Sequence, residues 1–146
     1  MRRIVLVLLC SLASSMESHA TQKWPSIGTF AAPGGGTASI LLDTHSISRH
    51  TDFWTARQKV VFTSAQKTEA GISFQSELDV YAYDCKANRA ALVSYERYPG
   101  DNAKGTVVDG VKHSSPSEYT WNTPAAGTAL DVARRMTCQL ADLAQG

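Results

Sequence analysis

Apolar and polar positions alternate along the middle of the chain and change to helical spacing only near its C-terminal end. Between 53 and 63, Trp54, Ala56, Val60 and Phe62 fall on one side of an extended chain. Thr55, Arg57, Lys59 and Thr63 take the other side, with Val61 as the exception. Successive side chains of a strand point to opposite faces, so this pattern predicts a half-buried strand. The clearest strand pattern covers 72–85, where Ile72, Phe74, Leu78, Val80 and Ala82 share a face. The opposite face starts polar, with Ser73, Gln75, Glu77 and Asp79, and then becomes Tyr81, Tyr83 and Cys85. That change predicts a strand end covered on both sides. The branched runs Ile40-Leu41-Leu42-Asp43 and Ser46-Ile47-Ser48-Arg49 predict two short strands, and 88–98 and 104–111 predict two more. His50-Thr51-Asp52, the polar stretch 66–71 and Pro99-Gly100-Asp101-Asn102 supply turns between them.

Ala129, Ala133, Met136, Leu140 and Leu143 recur at i, i+3 or i+4 spacing, which predicts an amphipathic helix within 125–144. Two N-caps fit: Thr123 before Pro124, or Thr128 three residues before Asp131. Cys138 falls nearly opposite the apolar stripe at about 100° per residue. A sheet with an apolar face must cover it, and one helix suffices. The fold class expected is therefore α+β, a single antiparallel sheet of about five or six strands with a C-terminal α-helix packed on it. Trp24-Pro25 and Pro33-Gly34-Gly35-Gly36 mark residues 21–38 as a flexible N-terminal segment ahead of a domain at 39–146.

The N-terminus breaks the alternation. Arg2 and Arg3 precede the apolar run Ile4 to Ala13, and a polar stretch follows that ends in Ser18-His19-Ala20. The run is too short for a membrane-spanning helix, which needs roughly 20 residues. The layout is that of a secretory signal peptide over 1–20, with cleavage after Ala20. Cys10 follows Leu9, where lipid attachment prefers a small residue, so the expected product carries no lipid anchor at Cys10. Removing Arg2, Arg3 and Glu17 from 14 basic and 13 acidic residues leaves 12 of each. A neutral domain has no global field that steers it to nucleic acid or anionic lipid. Hydrophobic residues at 43% and charged residues at 18% allow a globular core in a chain of 146 residues.

Cys85 and Cys138 are the two cysteines left after cleavage. An even count in an oxidising compartment points to a disulfide, with a reactive thiol or a metal ligand as the other readings. Motif chemistry is sparse. The chain has no GxSxG, HExxH, P-loop or GxGxxG pattern. Asp43 and His45 share a strand face with His50 near the following turn, which allows a metal site or an acid–base pair. Solvated edge-strand side chains are the plainer reading. Asp84 fits a carboxylate that accepts backbone hydrogen bonds at a strand end. Tyr81, Tyr83, Tyr95, Tyr98 and Trp121 could form either an aromatic surface or cross-strand pairs. Tyr95, Arg97 and Tyr98, next to the Pro99-Gly100 turn, form the candidate binding patch, because aromatics and Arg dominate interface hot spots.

Several of these residues together resemble the surface-adhesin E family of Gram-negative bacteria. The shared pieces are Leu42-Asp43 with Ile47 and Arg49, Trp54, Tyr81-Ala82-Tyr83-Asp84-Cys85 with Arg89, then Trp121, Pro124 and Cys138. The resemblance implies a small exported domain with a mainly antiparallel sheet, a helix and a disulfide. It also implies a non-enzymatic binding module without cofactor, at the cell surface or in the periplasm. Its partners would be extracellular matrix or serum proteins, with no nucleic acid and no transmembrane segment in the mature chain. A periplasmic structural or assembly accessory is the alternative.

Overall fold

The alternating pattern becomes a six-stranded meander in which every strand pairs with its neighbours in sequence. The structure is a computed structural model and describes residues 23–146. The signal region 1–20, its cleavage point and Cys10 lie outside the described residues. The strands are β1 (Ser26–Ala31), β2 (Thr37–Arg49), β3 (Trp54–Lys67), β4 (Ser73–Asp84), β5 (Arg89–Tyr98) and β6 (Asp109–Lys112). All pairings are antiparallel, and one helix, α1 (Ala129–Gln145), packs across β1 to β5 on a single face. This is the fold class read from the pattern.

Three local expectations change. The two short strands around 40–49 are one strand, β2, bent by a bulge between Asp43 and Ser48. The fully buried Asp43 organises that bulge. Its Oδ1 accepts the His45 N–H (3.2 Å), and its main-chain oxygen accepts the Ser46 hydroxyl (2.7 Å). The segment read as flexible, 21–38, contains β1 and the start of β2. Its glycines form a tight turn, with Gly35 and Gly36 at positive φ, where other residues are strained. The turn is fastened from β3: the Gln66 Oε1 accepts the Gly34 N–H (2.7 Å), and its Nε2 donates to the oxygens of Gly35 (3.2 Å) and Ser64 (3.0 Å). Composition suggested mobility, but a side chain distant in sequence supplies the missing partners.

The third change concerns the helix. Thr128 is the cap, accepting the Asp131 N–H at 3.3 Å. The side turned to the sheet is Ala133, Thr137 and Ala141, each buried, whereas Leu143 is 72% exposed. The reason is the bulk of the sheet. Tyr83 is fully buried in the cluster with Leu42, Ala56 and Ala133, and small helix residues leave room for it. Close approach also explains Gly28, where a Cβ would lie 2.9 Å from that of Ala129. With the helix rotated this way, Cys138 sits on its flank and reaches the end of β4. The Cys85–Cys138 disulfide closes there, with Cα atoms 5.7 Å apart. A second apolar cluster, Ala32, Ala38, Val60, Phe62 and Phe74, fills the other half of the structure.

Candidate functional site

The β2–β3 turn builds a rigid aromatic surface. The His50 N–H donates to the Phe53 oxygen (2.8 Å), and its ring nitrogen Nε2 lies 3.2 Å from Thr55 Oγ1. The imidazole stacks on Phe53 with centroids 4.7 Å apart. Phe53 in turn meets Tyr119 (6.0 Å) and Trp121 (5.7 Å) edge-on. Those two residues come from the segment after β6. That segment is pinned to β5 through the Ala90–Asn122 bridge and the His113 N–H on the Val93 oxygen (2.9 Å). Cations flank the rings: the Arg89 guanidinium lies 5.5 Å over Trp121, and that of Arg49 lies 5.9 Å over Trp54. Phe53, Tyr119 and Trp121 are each half-buried. An open cleft of about 650 Å³ lies along the turn, lined by Arg49 through Phe53 and by Pro116. This surface offers flat apolar faces and guanidinium groups held in place by their neighbours. Such an array suits non-covalent protein recognition.

The residues grouped as a patch in the sequence separate in the structure. Tyr95 and Arg97 share the helix-side face, while Tyr98 and Glu96 take the opposite one. Arg97 is engaged internally. Its Nε donates to Glu77 Oε2 (2.6 Å) and its Nη1 to Asp109 Oδ2 (2.8 Å), and the guanidinium stacks 4.7 Å from both the Phe74 and the Tyr95 rings. Its burial works against the charge, but the bond to Glu77 and that carboxylate's charge outweigh burial and raise its pKa. The Tyr98 hydroxyl donates to Glu96 Oε2 (2.6 Å), which raises the pKa of the phenol. Tyr81 and Tyr83 are core residues rather than surface ones: burial pushes Tyr81 up to about 12 and also raises Tyr83, whose hydroxyl accepts a bond from Gln58.

Beside Tyr95 the sheet carries a carboxyl group that the sequence reading left among the polar positions. Asp79 is only 6% exposed, and its Oδ1 has no hydrogen-bond partner. Burial, followed by the charge of Glu77, pushes its pKa up to about 9, so it is a neutral acid at physiological pH. The alternation of 72–85 carried the signal: Asp79 lies on the same face as Tyr81 and Tyr83, the face that becomes covered.

The Asp43–His45–His50 constellation does not assemble. Asp43 Oδ2 binds Arg57 Nη2 at 2.7 Å, His45 contributes only its main-chain N–H, and His50 belongs to the aromatic surface. No cluster of three metal-ligating side chains occurs among the described residues. Asp84 does cap a strand end. It accepts the Lys86 and Ala87 N–H groups and pairs with Arg89 at 2.7 Å; the Arg89 bond is the chief reason its pKa is lowered.

The family model described as surface-adhesin protein E matches residues 24–139. Among solved structures, that of Haemophilus influenzae protein E superposes with a TM-score of 0.52 at 15% identity, covering 73% of this chain and 80% of that one. At this identity the likeness is one of fold. No curated protein matches the chain in sequence.

Proposed function

The chain belongs to the surface-adhesin protein E family, and from that premise we propose that it is an exported, non-enzymatic module that binds host extracellular proteins. Export would be directed by residues 1–20 with cleavage after Ala20, without lipid at Cys10. Among the described residues no helix is long and apolar enough to cross a membrane. The observation that carries the reading is the aromatic surface of Phe53, Tyr119 and Trp121, with Arg89 stacked on Trp121 and Arg49 sharing the cleft beside Phe53. Trp, Tyr and Arg held in fixed positions lose little entropy on binding, and they provide most of the energy of protein interfaces.

The test measures binding of the oxidised domain to immobilised matrix and serum proteins. Arg49→Ala and Tyr119→Ala are each expected to weaken capture by roughly tenfold, the size of a modest hot-spot loss. Their melting temperatures should stay within a few degrees of the parent's. The Tyr95–Arg97–Tyr98 patch is the second arm. Tyr98→Ala removes a half-buried ring and its hydroxyl's bond to Glu96, whereas Arg97→Ala strips two carboxylates of their partner and should lower stability by more. Unchanged capture by both Arg49→Ala and Tyr119→Ala would rule out the aromatic surface. A parent domain that captures none of these proteins would rule out the host-binding reading.

A further inference from the structure

The sheet face opposite α1 holds a groove with its own chemistry. One end of that face is occupied by the turn at 99–104, tied to Ser76 by its hydroxyl, which donates to the Gly100 oxygen (2.6 Å) and accepts the Ala103 N–H (2.8 Å). The other end carries Arg89, which stacks on Trp121. Between them lies a cavity of about 590 Å³, with Leu78 and Val80 of β4 as its floor and β6 as its outer wall. On the water-facing side of an antiparallel sheet the floor should be polar. Here the floor is two half-buried aliphatic side chains, and Val107 and Val111 beside them are exposed.

Cross-strand register places charge around that floor. One row runs Arg57, Val80, Ser94, Lys112 across β3, β4, β5 and β6. The centre of the row, Val80 and Ser94 with Leu78 alongside, is thus flanked by a cation at each end. Arg57 is half-exposed and uses only Nη2 on Asp43, so its remaining donors are free. Lys112 makes no ion pair among the described residues. Asp109 in the outer wall is paired with Arg97, which it shares with Glu77, and Glu96 lies one row aside, bonded to the Tyr98 hydroxyl. Gly110, opposite Glu96, leaves that stretch of the wall without a side chain.

The spacing selects a ligand. Three strand intervals separate Arg57 from Lys112, about 14 Å at about 4.8 Å each. Four residues of extended chain span about 13 Å, and residues i, i+2 and i+4 of such a chain point the same way. We propose that this groove docks an extended acidic segment of a partner protein with the pattern Glu-x-Leu-x-Glu. The two carboxylates would sit on Arg57 and Lys112, and the Leu on Val80 and Leu78. The site is separate from the aromatic surface, and its failure leaves the host-binding reading untouched.

The probe is a capped synthetic peptide, Gly-Glu-Ser-Leu-Ser-Glu-Gly, titrated into isotope-labelled oxidised domain and followed by amide chemical shifts. Shifts should concentrate at Leu78, Val80, Ser94 and Lys112, and affinity should fall as salt is raised. Lys112→Glu, at an exposed edge position, should weaken binding by roughly tenfold or more, the effect of reversing a rim charge next to a buried contact. Replacing the second Glu of the peptide by Lys should restore binding to that variant and weaken it for the parent. A peptide with both Glu replaced by Lys should not bind the parent. The proposal is overturned if the acidic and basic peptides bind the parent alike, or if the shifts fall on Phe53, Tyr119 and Trp121 instead. It is also overturned if the peptide leaves the groove unshifted while phosphatidylglycerol–phosphatidylcholine vesicles perturb it, which would assign the cations to a lipid surface.

Discussion

Asp79 shows how much one side chain can tilt the stability of this domain. Unfolded, its carboxyl ionises near pH 3.8, while in the fold burial and Glu77 hold the proton up to about 9. Between those values the folded state carries one proton that the unfolded state has lost. Stability owed to this group therefore declines as pH rises from about 4 to about 9 and levels off beyond. Asp79→Asn keeps the shape and removes the titration. It should raise stability at pH 7 by ~2 kcal/mol and flatten the dependence across that range. Urea unfolding of both proteins at pH 5, 7 and 9 checks this, and an equal slope in both would show that another group titrates. Asp43 is a different case at the same scale. It is as buried as Asp79, but the Arg57 guanidinium and the His45 N–H satisfy its carboxylate, so it organises the β2 bulge.

At the scale of elements, the β1–β2 hairpin depends on a strand it does not belong to. Gln66 of β3 is buried and bonds three backbone groups, two in the turn at Gly34 and Gly35 and one at Ser64 of its own strand. Gln66→Ala leaves the Gly34 N–H without this partner in a partly buried site, while the Gly35 oxygen keeps the Ser64 hydroxyl (2.6 Å), and should cost about 1–3 kcal/mol. Amide exchange at Gly34 should quicken by more than at the centre of β4, because the turn loses its tie while the central ladder keeps its bonds. Equal quickening everywhere would show global loosening instead. The same logic holds at the other edge, where Arg97 of β5 joins Glu77 of β4 to Asp109 of β6. Edge strands β1 and β6 are each secured by a side chain from nearer the middle of the sheet.

For the whole molecule, the disulfide decides whether helix and sheet stay together. Cys85 ends β4 and Cys138 lies in the second half of α1, 53 positions away. Closing a loop of that length lowers the entropy of the unfolded chain by an amount worth about 4 kcal/mol in the simplest account. Cys138→Ala should remove a large part of this, seen as a lower urea midpoint. Its first local sign should be faster exchange in the C-terminal turns of α1. Without the helix, Tyr83 and the cluster around Leu42 lose their cover, so the variant should also bind hydrophobic dye at lower urea than the parent. A midpoint equal to the parent's would show that packing alone holds the helix.

What the sequence determined by itself is what local periodicity can record. The strands around 54–63, 72–85 and 88–98, the C-terminal helix and the single-sheet fold class were all legible, because a period of two or of 3.6 depends only on near neighbours, whereas the structure chose Thr128 over Thr123 as the cap. The triple glycine misled for the same reason: its turn is ordered by Gln66, 32 residues away from Gly34, and no local pattern carries that bond. The tertiary structure alone decided how far α1 is turned on the sheet: Ala133 lies in the Tyr83 cluster, Met136 packs at the margin of that cluster, and Leu143 is left exposed. It alone brought Phe53 beside Tyr119 and Trp121, tied Arg97 to Glu77 and Asp109, and buried Asp79 with its Oδ1 unpaired. Recognition surfaces and shifted pKa values arise from contacts between distant segments, and those contacts exist only once the backbone has closed.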